Sequence, residues 1–246
     1  MIKSLFFAAA ALLGASQFAH ADDPAEKTVR DALHVLAPGA KPDIVRKSEL
    51  PGFYEIVANG DVLYVSADGK YLIHGDVYDV PAKTSINGRS LASWRNAGLK
   101  NLSADKRIVF SPPNPKHTIT VFTDIDCPYC RKFHQNIAAI NQQGIAVQYV
   151  FFPLSIHPGA EKKAVSVWCS QDRNAAYTAA MNGQDPGNKT CANPVSETLA
   201  LALKMGINAT PTILAADGTQ IGAAANDPKS LLAELDRIDK TPVAVK

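Results

Sequence analysis

Cysteine is scarce in this chain, with four in 246 residues, all beyond residue 126. So few exclude a small scaffold stapled by disulfides, and they confine any thiol chemistry to the C-terminal half. An excess of either charge is also missing. The count is 25 basic against 23 acidic side chains, a net charge of +2. Nothing in that balance points to nucleic acid or an anionic membrane as partner. There is no internal repeat and no low-complexity tract, which excludes solenoid and fibrous architectures. Membrane-length apolar runs are lacking too: Leu5 to Leu13 falls short of the roughly 20 residues that span a bilayer. What is there, 46% apolar and 20% charged residues, is the composition of a folded soluble protein. At about 150 residues per domain, its length suits one to two domains.

The first 21 residues carry the three parts of an export signal. Lys3 gives a positive start, Leu5 to Leu13 an apolar stretch, and Ala19-His20-Ala21 small residues at the positions a signal peptidase reads. Cleavage after Ala21 is expected, with the mature chain beginning at Asp22. Export places the cysteines in an oxidising compartment, where pairing is the default and zinc thiolates are unusual.

Residues 22–85 read as one small α+β unit. Asp22-Asp23-Pro24 starts a helix, and Val29, Ala32, Leu33 and Leu36 recur at helical spacing until Pro38-Gly39. A β-meander follows: Ile44-Val45, Phe53 to Ala58, Val62 to Ser66, and Tyr71 to Val80. Asn59-Gly60 and Asp68-Gly69 are strong hairpin signals between these runs. The unit is thin for an independent core, and pairing with a second copy is one way to stabilise it. It has no cysteine and no convergent titratable cluster, so catalysis is not expected there.

Residues 86–105 read as a linker helix with one apolar face (Leu91, Trp94, Leu99, Leu102), interrupted at Gly98; an extra helix of either neighbour is the alternative. Residues 106–246 form the second unit. Arg107 to Phe110 and Thr118 to Thr123 are expected strands, and Pro128 to Gln143 a helix. Ile145 to Phe152 reads as a strand, and Glu161 to Met205 as mostly helical with a break near Gly183 to Pro186. Pro211 to Ala215 and Gln220-Ile221 are short strands, and Asp227-Pro228 opens a last helix.

Cys127-Pro128-Tyr129-Cys130 falls where a strand meets a helix. With Cys127 at the N-cap, Pro128 takes the first helical position, where its missing N–H costs nothing. Cys127 then faces unpaired N–H groups at the positive helix end, which lowers a thiol from about 8.5 into the range of roughly 3.5 to 7.5. A thiolate is the attacking species of thiol–disulfide exchange, and Cys130 is placed to resolve the mixed disulfide. Zinc would need a second closely spaced pair, and Cys169 and Cys191 are 22 positions apart. Once Cys127 and Cys130 are paired, Cys169 and Cys191 are left for each other, as a structural disulfide or as a second redox pair. His117, His134 and His157 show no ligand spacing and read as surface groups. Asp124 and Asp126 read either as tuners of the nearby thiol or as solvated loop carboxylates. No metal or organic cofactor is called for. Pro211 opens an apolar strand, where proline is unwelcome. The residues alone leave the Thr210-Pro211 bond open between a cis bond and an ordinary trans one.

Assembled, these residues resemble the bacterial periplasmic disulfide isomerases of the DsbC/DsbG family over essentially all of the mature chain. Phe122 to Cys130, Phe151-Phe152-Pro153, Trp168-Cys169 with Asp172 and Asn174, and Thr210-Pro211 fall in family order. Tyr71 to Val80 resembles the last strand of the family's dimerisation domain. The resemblance implies an α+β protein: a thioredoxin-like catalytic domain with a helical insertion, a linker helix and a cystatin-like dimerisation domain. It implies a cis Thr210-Pro211 bond, substrate binding by Thr210, Pro211 and Tyr129, and a homodimer. Its partners would be misfolded exported proteins with wrong disulfides and a membrane thiol reductase of the DsbD type. Pro128 matches the reductase and holdase (DsbG) branch, whereas Cys169 and Cys191 match the isomerase (DsbC) branch. The second pair carries more weight, because the residues between Cys127 and Cys130 are easily exchanged. The expectation is a periplasmic disulfide isomerase with chaperone activity. The alternative is a DsbG-like holdase or reductase that protects single cysteines.

Overall fold

The structure is a computed structural model that describes residues 23–241. The expected export segment, residues 1–21, lies outside the described residues.

Asp23 caps the first helix by accepting the Ala25 N–H, and Pro24 occupies its first turn, so α1 runs Pro24–Leu36. Its buried Val29 and Leu33 pack on Tyr54, Ile56 and Val65 of an antiparallel sheet. That sheet is the meander β1 (Ile44–Lys47), β2 (Phe53–Ala58), β3 (Asp61–Ser66) and β4 (Leu72–His74), in spatial order 1-2-3-4. Asn59 and Gly60, both at positive φ, make the two-residue turn between β2 and β3, the geometry that suits the twist of a hairpin.

One expectation needs correcting here. Tyr71 to Val80 is not a single strand. β4 stops at His74, and β5 (Tyr78–Asp79) pairs instead with β6 (Thr84–Ser85). The cause is Asn87, a buried side chain that bonds the backbone at the break. It accepts from the Val77 N–H (2.9 Å) and the Tyr64 hydroxyl (3.1 Å) and donates to the Gly75 carbonyl (3.1 Å). These bonds satisfy peptide groups that a continued ladder would otherwise have held.

Helix α2 (Ile86–Asn101) begins at Ser85, whose hydroxyl accepts the Gly88 N–H. Gly98 does not interrupt it. A Cβ there would lie 2.5 Å from Met205 Sδ, so the glycine permits a close approach rather than a bend.

The second unit has a five-stranded sheet made of β7 (Ile108–Phe110), β8 (His117–Thr123), β9 (Ile145–Phe151), β10 (Thr212–Leu214) and β11 (Gln220–Ile221). Their order is 11-10-8-9-7, with β8 and β9 parallel and the other pairs antiparallel. The parallel pair needs a crossover, supplied by α3 (Pro128–Gln135) and α4 (Ile137–Gln142). The expected single helix divides at Asn136, which leaves helical geometry. The helical stretch after β9 is α5 (Ala160–Trp168), α6 (Arg173–Met181) and α7 (Val195–Lys204), and α8 (Pro228–Lys240) follows β11.

Alternation along β8 builds two cores. Ile119 and Val121 face one, with Phe133, Val167, Tyr177 and Leu231. Phe122 faces the other, with Val150, Leu214, Ala202 of α7 and Leu99 and Leu102 at the end of α2. Arg107 fixes that helix end by donating to the carbonyls of Leu99 (2.7 Å) and Leu102 (2.6 Å). The architecture is α+β, as expected.

Candidate active site

β8 ends at Thr123, and residues 124–126 turn the chain into α3. Cys127 is the helix N-cap with extended backbone, Pro128 fills the first turn, and Cys130 follows nearly one turn later. Both cysteines are free thiols. Cys127 is 3% exposed and Cys130 1%. Cys127 nonetheless lies just under the surface, because Pro128 and Tyr129 are exposed and Thr210 and Pro211 half-buried.

Several groups converge on the Cys127 sulfur and bring its pKa down from 9.0 to about 5. The largest effect is the hydrogen bond from the Cys130 thiol. The backbone N–H groups of Cys130 and Tyr129 add to it, against the opposing effect of burial. Cys130 moves the other way. Its bond to the Cys127 sulfur and its own burial hold the thiol protonated far above its ordinary range. The pair thus has one acidic sulfur near the surface and one proton-bearing sulfur beneath it.

The Thr210-Pro211 bond is cis. The Thr210 carbonyl lies 3.3 Å from Cys127 Sγ, and the Thr210 hydroxyl is buried with no partner in the described chain. The sequence placed Tyr129 at this surface, and it stands 71% exposed there.

Near Cys130 the core holds a cluster of hydrogen-bonded polar side chains. The hydroxyls of Thr123 and Tyr177 are 2.9 Å apart. His134 bonds the Tyr149 hydroxyl (2.9 Å) and the Thr178 hydroxyl (3.0 Å). Burial pushes His134 down to about 4, so it is neutral at physiological pH. Burial likewise raises Tyr149 and Tyr177 well above the usual phenol range.

Three expectations change. His134 and His117 are buried, not surface groups. His117 lies between Asp236 (2.8 Å) and Asp239 (3.3 Å) on α8. Asp124 is no solvated loop carboxylate. It is 1% exposed and accepts the N–H groups of Asp126 (2.7 Å) and Leu154 (2.6 Å). His157 Nδ1 stands 3.1 Å from Asp124 without the alignment of a hydrogen bond. Thr123, Tyr149, Tyr177 and Lys163 were not singled out from the sequence. Thr123 carried a faint signal, since alternation along β8 points it under the helix that bears the cysteines.

Cys169 and Cys191 are joined by a disulfide that ties the end of α5 to the segment before α7. Arg173 covers the adjacent Trp168 ring at 3.8 Å. Among the described residues, no group of three or more His, Cys, Asp or Glu side chains is placed to hold a metal ion. Among the same residues, no helix is long and apolar enough to cross a membrane.

Comparison with known proteins gives a consistent picture. Residues 105–239 match the thioredoxin-like domain, and residues 17–87 match the disulfide bond isomerase protein N-terminal domain. The chain is 37% identical over 226 residues to the thiol:disulfide interchange protein DsbC of Dickeya dadantii, covering 91% of both. It is 33% identical over 242 residues to that of Escherichia coli, covering 97% of this chain and 98% of the relative. A crystal structure of a disulfide interchange protein from Neisseria gonorrhoeae superposes on 57% of this chain and all of its own, with TM-score 0.50 and 33% identity.

Proposed function

The chain belongs to the DsbC family of thiol:disulfide interchange proteins, and from that premise we propose that Cys127 is its nucleophile in disulfide isomerisation. The observation that carries this reading is the Cys127 sulfur at the N-terminus of α3, held acidic by the Cys130 thiol.

The Cys127 thiolate attacks one sulfur of a wrong disulfide. A Cys127–substrate disulfide forms and the other substrate sulfur leaves as a thiolate, with no net change in oxidation. A different substrate thiolate then attacks the substrate sulfur bound to Cys127, releasing the Cys127 thiolate and leaving the substrate rearranged. Alternatively, Cys130 gives up its proton and attacks Cys127. This closes the Cys127–Cys130 disulfide and expels a reduced substrate thiol that takes the proton. The second route leaves the enzyme oxidised, and a membrane thiol reductase of the DsbD type is its expected source of electrons. The acidity of Cys127 makes it a good leaving group, which favours release from the mixed disulfide. The backbone of Thr210 and Pro211, beside the sulfur, suits an extended substrate segment, and the exposed ring of Tyr129 suits its side chains.

The N-terminal sheet supports homodimerisation. β4 is an edge strand, and its three residues Leu72, Ile73 and His74 are all exposed, as are Tyr71, Tyr78 and Val80. An unpaired apolar edge is a template for another strand, and a second copy supplies one. The cleft between two copies would hold unfolded clients, which is the basis expected for chaperone activity. The export signal expected over residues 1–21 and the family favour the periplasm.

Refolding of a scrambled multi-disulfide protein tests the reading. Catalysis lost in Cys127→Ser but retained as slow isomerisation in Cys130→Ser supports it. Catalysis that survives Cys127→Ser refutes Cys127 as the nucleophile, and a wild-type protein that only suppresses aggregation, equally well in Cys127→Ser, refutes the isomerase in favour of a holdase. Light scattering of Ile73→Asp tests the dimer, which this substitution should dissociate.

A further inference from the structure

An acidic residue immediately precedes Cys127, and a carboxylate beside a thiolate works against its ionisation. Two cations from different helices meet that carboxylate. Lys163, near the start of α5, has Nζ 2.8 and 2.9 Å from the two oxygens of Asp126. Arg131, in α3, approaches the same carboxylate at 3.2 Å and donates its Nε to the Ile125 carbonyl at 3.0 Å. The side chains of Asp126, Arg131 and Lys163 are 19%, 35% and 38% exposed, so solvent weakens their field without abolishing it. The trio carries a net charge of +1 where Asp126 alone would carry −1. The remaining titratable groups around the loop are Asp124, which His157 faces, and Cys130 with Tyr149 and Tyr177 beneath it.

We propose that Lys163 is a positioning residue for the exchange reaction. Its bond to Asp126, assisted by Arg131, cancels the carboxylate next to Cys127 and anchors the 124–127 loop to α5, so that the nucleophile is presented as a thiolate. The inference rests on Cys127 as nucleophile and adds the element that offsets its acidic neighbour. It also ties α5, which carries Cys169 at its end, to the residue that precedes the reacting sulfur.

The test is a titration of thiolate ultraviolet absorbance in the full-length reduced protein, with Cys127→Ser as blank, for Lys163→Met, Asp126→Asn and the double variant. Lys163 lies at the surface, and methionine keeps its aliphatic stem. Lys163→Met is expected to raise the Cys127 midpoint by roughly half to one unit, the size of a partly screened charge held on the adjoining residue. In the double variant most of that shift should vanish, because Asp126 is the partner that holds the Lys163 ammonium at the loop, and without it that charge is already released to solvent. A midpoint unmoved by Lys163→Met, or a shift of equal size in the Asp126→Asn background, overturns the proposal. Either result can arise while isomerase activity still depends on Cys127. Isomerase activity that survives Cys127→Ser instead refutes the underlying reading.

Discussion

Replacing Cys130 by alanine removes the S–H that is the largest support of the Cys127 thiolate. A hydrogen bond to a charged group contributes about 1.5–3 kcal/mol, and one pKa unit corresponds to about 1.36 kcal/mol. The Cys127 midpoint, about 5 in the intact pair, should therefore rise by roughly one to two units. The backbone donors of α3 remain, so it should not reach 9.0. Two effects then compete in the rate of attack on a small disulfide. For a rise of about 1.5 units, the Brønsted slope of about 0.4–0.5 makes each thiolate roughly fivefold more nucleophilic. At pH 7 the ionised fraction falls by only about a quarter, so attack should quicken roughly three- to fourfold. At pH 5 the loss of thiolate dominates, and attack should slow about threefold. The two pH–rate curves should cross near pH 6. Cys130→Ser keeps a hydroxyl donor, so its curve should stay close to that of the intact pair. Thiolate absorbance gives the midpoint, and stopped-flow reaction with a small disulfide gives the rate. An unmoved midpoint in Cys130→Ala, an equal shift in Cys130→Ser, or curves that never cross would each refute the reasoning.

Removing the Cys169–Cys191 disulfide, which closes a separation of 22 residues, should cost about 3 kcal/mol of stability through the unfolded chain's regained freedom. Urea denaturation of Cys169→Ala/Cys191→Ala measures this, and the Cys127 titration should stay in place. Gly218→Ala should destabilise by about 1–3 kcal/mol from overpacking alone. Its Cβ would lie 2.0 Å from the Ala92 carbonyl of α2, at a backbone φ of +88°; a denaturation midpoint equal to wild type would contradict the close approach. Lys116 and then His117 hold the Asp236 carboxyl below its ordinary value. A depressed carboxyl stabilises the fold above the unfolded pKa, and that stability is lost as pH falls through the folded one. Asp236→Asn should therefore lower the melting temperature at neutral pH and converge with wild type in acid.

What the sequence determined by itself is local. Cys127 at an N-cap, Pro128 in the first turn and Cys130 nearly one turn on all lie within four consecutive residues. Their arrangement follows from the donors a helix start leaves unpaired. The Asn59-Gly60 hairpin is local for the same reason, since a two-residue turn at positive φ selects its residues directly. Alternation along β8 was legible because side chains on a strand point to opposite faces in turn.

The rest depended on residues far apart in the chain. Histidine serves equally well on a surface or in a core that supplies its hydrogen bonds, and nothing near His134 in sequence reveals Tyr149 and Thr178. Asp124 likewise became a buried tie once Leu154 offered its N–H, and the strand expected over 71–80 broke because Asn87 came within reach of its backbone. Tertiary packing also brought Thr210 against the sulfur and Lys163 against Asp126. Short-range geometry is set by the few dihedrals between neighbouring residues. Contact between distant segments is set by which faces the two cores bury together, and only the folded chain contains that choice.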